Sequence, residues 1–208
     1  MFIRRIALTS LVVLTLAAWG GPVSVASASA ETEAETFIAG LADEAISALT
    51  SEGATREERL ARFAGMLDRN FDVETIGKWV LGRHWRTATD TEKEEYLKLF
   101  REYVVVTYVE RFDQYSGEKL KVIKSVAEPG QDSLVFSEIQ RPTGGEPIRV
   151  DWRVRSDADI YKIIDVYVEG ISMSQTQRKE FASVIRSNGD TVSGLLGALR
   201  TQIAKLNE

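Results

Sequence analysis

The amino-acid sequence predicts an α+β fold in which a four-stranded antiparallel meander sheet is covered on one face by helices. Apolar residues recur at helical spacing in the first half of the chain and again after residue 174. Between residues 119 and 168 they alternate with polar residues at a period of two, as expected for strands with one covered face and one wet face. Short turn sequences separate the strands, which favours a meander over longer crossovers.

The first 30 residues have the features of a secretory signal peptide. Arg4 and Arg5 precede an apolar run, and small residues follow up to Ala30, with cleavage expected after Ala28 or Ala30. Residues 31–208 are then expected to form a single domain of ordinary size. The sequence therefore predicts an exported, soluble protein.

Charge and composition narrow the possible functions. The formal net charge is −5, and it becomes −7 without residues 1–30, whose only charged residues are Arg4 and Arg5. An acidic protein repels phosphate backbones, so a nucleic-acid partner is not expected. The chain has no cysteine and one histidine, His84, which excludes thiolate chemistry and leaves few metal ligands. No metal site is therefore predicted.

Four helices are predicted before the sheet. The first two carry apolar residues at helical spacing over 37–49 and 60–67, and the third follows an N-cap at Asp72 and ends at Gly82. The fourth is long and starts after a Thr89-x-x-Glu92 capping box. Its β-branched run over 104–106 could form a strand alone, but the surrounding helical period favours a helix that stops by Gly117.

The four predicted strands cover residues 119–127, 132–140, 147–155 and 160–168. In the third strand the apolar residues Ile148, Val150, Trp152 and Val154 alternate with Arg149, Asp151, Arg153 and Arg155. Two helices close the chain. One covers about 174–187 with a C-cap at Asn188-Gly189, and the other starts near Asp190.

The turn Gly170-Ile-Ser-Met-Ser174 resembles an incomplete nucleophile elbow, which raises the question of a serine hydrolase. Ser172 would need a neighbouring base, and that elbow belongs to parallel α/β sheets rather than to a meander. Ser172 or Ser174 can instead cap the next helix, and Ser174-x-x-Gln177 fits a capping box. No catalytic residue is predicted.

Asp165 is a carboxylate in the middle of the fourth strand. A buried carboxylate is costly unless it is paired, and Arg178 in the next helix is a candidate partner. Alternatively, Asp165 lies on the wet face together with Lys162. Many aromatic residues lie on elements that face the sheet, and composition alone does not separate a packed core from a pocket.

Three segments, in this order and spacing, resemble the MlaC family of periplasmic phospholipid-binding and toluene-tolerance proteins. They are Val80-Leu-Gly-Arg-His-Trp-Arg86, the Thr107-Tyr108 and Tyr115-Ser-Gly117 pair, and Asp165-Val-Tyr-Val-Glu-Gly-Ile-Ser172 followed by Arg178 and Phe181. The similarity extends over about residues 36–205. His84 departs from the pattern, because a tyrosine-like residue is expected there.

The resemblance implies a soluble periplasmic carrier with no enzymatic activity and no cofactor other than a bound phospholipid cargo. Such a carrier holds the acyl chains of a glycerophospholipid between sheet and helices. It exchanges lipid with an inner-membrane ABC transporter complex, through an MCE-type subunit, and with an outer-membrane lipoprotein–porin complex. A polycyclic, hopanoid-type lipid is an alternative cargo. A periplasmic serine hydrolase, or a binding module without a cavity, is an alternative function.

Carried onto this chain, the resemblance predicts a lipid pocket on the inner face of the sheet. Trp85 and Arg86 are expected at the pocket mouth or in a structural turn. The predicted pocket residues are Trp79, Val80, Tyr103, Val104, Val150, Trp152, Val154, Ile163 and Val166.

Overall fold

The computed structural model describes residues 25–50, 53–112, 115–158 and 160–208. Residues 1–24 of the predicted signal peptide lie outside the described residues. The first helix begins at Val25, so it includes the last six residues of that predicted segment.

The architecture is α+β, as predicted. The helices are α1 (Val25–Thr50), α2 (Arg56–Asn70), α3 (Val73–Leu81), α4 (Asp90–Phe112), α5 (Met173–Ser187) and α6 (Val192–Leu206), with a 3₁₀ turn over Gly82–Arg86. The strands are β1 (Lys119–Ala127), β2 (Asp132–Gln140), β3 (Ile148–Asp157), β4 (Ile160–Val168) and β5 (Ile171–Ser172). The 104–106 run is helical within α4, which ends before Gly117.

The prediction of four strands was wrong by one, because the sheet has five antiparallel strands in the order β1-β2-β3-β4-β5. The fifth strand is two residues long and pairs Tyr167 with Ser172. Glu169 and Gly170 connect β4 to β5 with φ values of 51° and 76°. Two consecutive positive φ angles are what a tight type I′ hairpin turn requires, and they explain the glycine at position 170.

The outer edge of the sheet is protected against pairing with other chains. β1 pairs only with β2, and a register irregularity lies between Val122 and Lys124. Lys119, Lys121 and Lys124 are exposed along the same strand. Lysines and bulges are features that natural edge strands use to avoid aggregation.

Local capping explains where α2, α3 and α4 begin. Thr55 and Glu58 form a reciprocal capping box at α2, which the sequence analysis did not predict. The Asp72 side chain accepts a hydrogen bond from the Thr75 N–H at 3.0 Å. At α4, the N–H of Glu92 donates to Thr89 Oγ1, and the Thr89 N–H donates to Glu92 Oε2. The predicted caps of α3 and α4 are thus confirmed.

The buried residues form two groups. The first, here called the helical cluster, joins α3, α4, α5 and α6 and includes Tyr96, Phe100, Phe181, Ile185 and Leu195. The second, called the sheet cluster, lies between α1, α2, α4 and the inner face of the sheet, and includes Ile38, Phe63, Val135, Val154 and Ile163. Within the described ranges, no helix is both long and apolar enough to cross a membrane.

Candidate binding cavity

A cavity of about 350 Å³ lies between the inner face of the sheet and helices α1 to α5. Its walls consist almost entirely of apolar side chains. The helices contribute residues that include Leu41, Ala42, Ala45, Phe63, Met66, Leu67, Val73, Ile76, Val80, Phe100, Val104 and Tyr108, and the strands contribute Ile139, Val150, Trp152, Val166 and Val168. The volume lies near the lower limit of typical small-molecule sites.

Five of the nine residues predicted for the pocket line this cavity. They come from α3, α4, β3 and β4, and they are Val80, Val104, Val150, Trp152 and Val166. Residues from four elements of the fold therefore meet at one space.

The other four predicted pocket residues lie outside the lining. Val154 and Ile163 are 1% and 0% exposed. They pack against other side chains of the sheet cluster instead of bordering the cavity. Tyr103 packs against the ring of Phe181, with ring centroids 6.0 Å apart. Trp79 is 44% exposed and lies at the protein surface.

Sequence reasoning missed the walls contributed by α1, α2 and α5. Leu41 and Ala45 lie on the predicted apolar stripe of α1, and Phe63 and Leu67 lie on that of α2. The helical period could have identified these residues as inward-facing. It does not show whether an inward residue meets another side chain or an empty space.

Trp85 and Arg86 belong to the 3₁₀ turn rather than to the cavity wall. Trp85 is half-buried against the helical cluster, and the ammonium groups of Lys78 and Lys93 lie 5.5 and 5.8 Å from its ring centroid. Of the two interpretations offered by the sequence, the structural turn agrees with these contacts.

Polar atoms within the sheet wall are paired with one another. The indole Nε1 of Trp152 donates to Ser137 Oγ at 2.9 Å. The Ser137 hydroxyl in turn donates to the Val150 carbonyl at 2.5 Å. These contacts satisfy the buried groups, so this wall presents an apolar surface to an occupant.

One end of the cavity is polar, and it lies where β4 meets the start of α5. Asp165, Ser174 and Gln177, here called the polar corner, are part of the lining there. Asp165 Oδ2 accepts a hydrogen bond from the Ser172 hydroxyl at 2.6 Å, and Oδ1 accepts from the N–H groups of Val166 and Ser174 at 2.9 and 3.1 Å. The pKa of Tyr167 is raised mainly by burial of the side chain and, to a smaller extent, by the nearby negative charge of Asp165.

Neither alternative for Asp165 is correct: Arg178 is not its partner, and Asp165 lies half-buried in the cavity lining rather than on the wet face. The carboxylate is satisfied instead by the hydroxyl and the two N–H groups just described. The Arg178 guanidinium lies over the ring of Trp79, 5.0 Å from its centroid. It also packs against Gly82, where an added Cβ atom would lie only 2.7 Å from Arg178 Nε.

Ser172 caps α5, and this also corrects the predicted Ser174–Gln177 capping box. Its Oγ accepts a hydrogen bond from the Gln175 N–H at 3.0 Å while it donates to Asp165. The Gln177 amide donates to Glu180. His84 lies in the 3₁₀ turn, where its Nε2 accepts a hydrogen bond from Arg83 at 3.3 Å. The contacts of Ser172 are those of a helix cap and not of an activated nucleophile.

The residues that the structure describes hold no group of acidic and histidine side chains suited to a metal ion. A second depression follows α6 and is lined by residues that include Asn188, Gly194 and Thr201. It is open to solvent and small residues dominate its lining. The cavity under the sheet is therefore the candidate site.

Comparison with known proteins identifies the family. The model of the family described as "MlaC protein" matches residues 40–201, which make up most of the chain. The chain belongs to the MlaC family. The resemblance stated from the three sequence segments is thereby confirmed.

Individual relatives are distant. The intermembrane phospholipid transport system binding protein MlaC of Haemophilus influenzae is 24% identical over 122 residues, covering 57% of this chain and 56% of that protein. The alignment thus spans about half the length of that relative. A phospholipid-binding protein from Ralstonia solanacearum, solved in complex with a phospholipid, matches with a TM-score of 0.70 and 22% identity. That match covers 86% of this chain and 99% of the other, and at this identity it shows a shared fold.

Proposed function

We propose that this MlaC-family protein is a periplasmic carrier that binds a phospholipid and shuttles it between membrane complexes. The observation that carries the proposal is the apolar cavity between the sheet and the helices. The relatives' names agree with it: one is the binding protein of an intermembrane phospholipid transport system, and the other was solved with a phospholipid. We expect no cofactor besides this cargo.

The cavity wall supports binding of acyl chains rather than of a headgroup. Each methylene group of an acyl chain that enters this apolar space is removed from water. At about 0.8 kcal/mol for each buried CH₂, burial of about a dozen methylene groups contributes roughly 10 kcal/mol. This energy is sufficient without a specific phosphate contact.

The same volume predicts that the walls move. The cavity lies near the lower limit of the range of about 300–1,000 Å³ that is typical for smaller ligands, whereas a phospholipid carries two long acyl chains. We expect the lipid-loaded protein to hold its helices further from the sheet. The small residues Ala42 and Ala45 make α1 a suitable wall to move, since α1 packs mainly against α2 and the sheet.

The expected location and partners follow from the sequence and the family. The basic, apolar and small-residue segments before residue 31 predict export by a cleaved signal peptide. The resemblance implies exchange with an inner-membrane ABC transporter complex, through an MCE-type subunit, and with an outer-membrane lipoprotein–porin complex. An acidic surface favours docking on protein partners over standing adhesion to anionic membranes.

The hydrolase alternative is disfavoured by the contacts of Ser172, whose hydroxyl caps α5 and donates to Asp165. For the polycyclic-lipid alternative, no contact among the described residues provides support. The phospholipid proposal remains the one that the cavity and the family favour together.

Native mass spectrometry of the protein isolated from a bacterial periplasm tests the proposal directly. The expected result is a population heavier than the protein by the mass of one phospholipid, released as a phospholipid on activation. Protein that carries no lipid, and takes none up from phospholipid vesicles, would contradict the proposal. If the released molecule instead has the mass of a polycyclic lipid, the cargo is that lipid and not a phospholipid.

A matched pair of variants on β3 links binding to the cavity. Val150→Trp places an indole in the cavity, and we expect at least a tenfold loss of lipid loading with the fold retained. Val154 lies on the same face of the strand but in solid core, so Val154→Trp overpacks it and costs roughly 1–3 kcal/mol or more. Equal destabilisation by both variants would show that Val150 also belongs to solid core.

A further inference from the structure

One hydroxyl in the cavity wall has no use within the fold. Ser174 lines the cavity and is only 8% exposed. Its N–H donates to Asp165 Oδ1, but within residues 25–50, 53–112, 115–158 and 160–208 its Oγ forms no hydrogen bond. Nearby hydroxyls differ: Ser172 and Ser137 each donate one hydrogen bond and accept another.

The Ser174 side chain is largely buried, but its Oγ is not among the fully enclosed polar atoms, so it keeps some accessible surface in the cavity wall. A hydroxyl that an occupant covers is costly unless the occupant accepts its hydrogen bond. Tyr108 also lines the cavity, but its side chain already has contacts within the fold. Ser174 is therefore a hydroxyl that an occupant of the cavity can reach and pair.

We propose that the Ser174 hydroxyl donates a hydrogen bond to an acyl ester carbonyl of the bound lipid, so that the cavity selects ester-linked over ether-linked chains. The inference rests on the proposed function, because it assumes a lipid in the cavity. A glycerolipid carries its ester carbonyls where the apolar chains meet the headgroup. The polar corner holds the matching place in the protein, at one end of an apolar cavity.

The charge in the polar corner favours a neutral acceptor. The Asp165 carboxylate already occupies the N-terminus of α5, where the positive end of the helix dipole could otherwise attract an anion. A fatty-acid carboxylate would approach this negative charge at close range, whereas an ester carbonyl carries no net charge. The corner therefore fits an ester better than a free acid.

A competition between two lipids tests the inference. The full-length protein is incubated with vesicles that contain equal amounts of dipalmitoyl phosphatidylcholine and its dihexadecyl ether analogue, and native mass spectrometry gives the ratio bound. One neutral hydrogen bond predicts a preference for the ester of about three- to tenfold. In Ser174→Ala the ratio should fall to about one, because the donor is gone.

The matched control is Ser183→Ala, which removes an exposed hydroxyl from the same helix and should keep the wild-type ratio. Ser174→Cys is a second variant of similar shape whose weak donor should also reduce the preference, and it serves if the alanine variant does not fold. A wild-type ratio near one, or an undiminished preference in the Ser174 variants, overturns the inference while lipid binding stands. Binding of neither lipid by the wild type defeats the proposed function itself.

Discussion

The helical cluster and the sheet cluster are both built mainly from aliphatic and aromatic residues, but among the described residues the cavity opens beneath the sheet. In the helical cluster, Tyr96 and Phe100 stack with ring centroids 5.8 Å apart, and the ring of Phe181 meets both of them edge-on at 6.3 and 6.2 Å. Under the sheet, α1 presents Ala42 and Ala45 to the same space as Trp152. The difference lies in which side chains face one another, not in hydrophobicity.

Helix α4 belongs to both regions. Phe100 packs in the helical cluster and also lines the cavity, and Val104 does the same from the next turn. The helical cluster therefore holds one wall of the cavity rigidly. We therefore expect the opposite wall, formed by α1, to be the one that adjusts to an occupant.

The strongest test of the comparison removes one phenylalanine from each region. Phe181 and Phe63 are 4% and 6% exposed, so their burial is closely matched. We expect Phe181→Ala to lower the free energy of unfolding by about 3–5 kcal/mol. Phe63→Ala should cost at least about 1 kcal/mol less, since Phe63 already borders empty space and forfeits fewer contacts.

Chemical denaturation of the lipid-free proteins measures both changes. Equal losses would mean that the cavity is filled in solution and that the two regions do not differ in packing. If Phe63→Ala cost more than Phe181→Ala, the comparison would be reversed.

A second test concerns the interactions that hold each region together. The polar corner of the cavity depends on hydrogen bonds, whereas the helical cluster depends on apolar packing. Asp165→Ala leaves the Ser172 hydroxyl and two N–H groups without their acceptor. We expect a loss of about 2–3 kcal/mol in the free energy of unfolding by urea. Asp165→Asn keeps the shape and one acceptor oxygen, so its loss should be smaller.

The fold was predictable because its signals are local. The Asp72 and Thr89–Glu92 caps depend on residues close in sequence, and the structure confirms them. The period-two pattern located β3 correctly, although Asp151, which was expected on the wet face, is buried and interrupts the alternation. β5 was missed since two residues carry no periodicity. Its signal was the turn chemistry of Gly170, which sequence analysis read as part of an incomplete elbow.

The site was only partly predictable, because a cavity depends on contacts between distant elements. Val150 and Val154 have the same residue type, the same strand and the same face, yet only Val150 borders the cavity. Asp165 shows the same limit. Two of its three partners lie seven and nine residues away across a hairpin, and the positively charged Arg178 packs on Trp79 instead.

A third test compares two glycines that both adopt positive φ. Gly82 joins α3 to the 3₁₀ turn with a φ of 60°, and an added Cβ would collide with Arg178. Gly170 has a φ of 76° but open space around it. Gly82→Ala should cost about 2 kcal/mol through strain and displacement of Arg178, and Gly170→Ala about 1 kcal/mol through strain alone.

Thermal unfolding of the two variants separates the cost of backbone strain from the cost of displacing Arg178. Similar melting temperatures for both variants would show that Arg178 moves aside freely. Its contact with Gly82 would then add nothing to the stability of the helical cluster.

The smallest expected effect comes from the ion pair that joins α2 to α4, two walls of the cavity. Arg101 Nε and Nη2 donate to Asp68 Oδ1 and Oδ2 at 2.7 and 2.6 Å, and both side chains are about half exposed. Hydrogen bonding from Arg101 lowers the pKa of the Asp68 carboxyl. Asp68→Asn should therefore cost at most about 1 kcal/mol at neutral pH, because an exposed pair is screened by solvent.

The pH dependence gives this prediction its sign. Since the folded-state pKa of Asp68 lies below the unfolded value of roughly 4, the pair stabilises the protein fully above that value. Its contribution is lost as the pH falls through the folded pKa, so the wild type and Asp68→Asn should converge in acid. Glu74→Gln, which breaks an exposed pair within α3, is the control for loss of a surface charge. A difference between wild type and Asp68→Asn that persists in acid would mean that Asp68 acts through packing and not as the charged brace between the two walls.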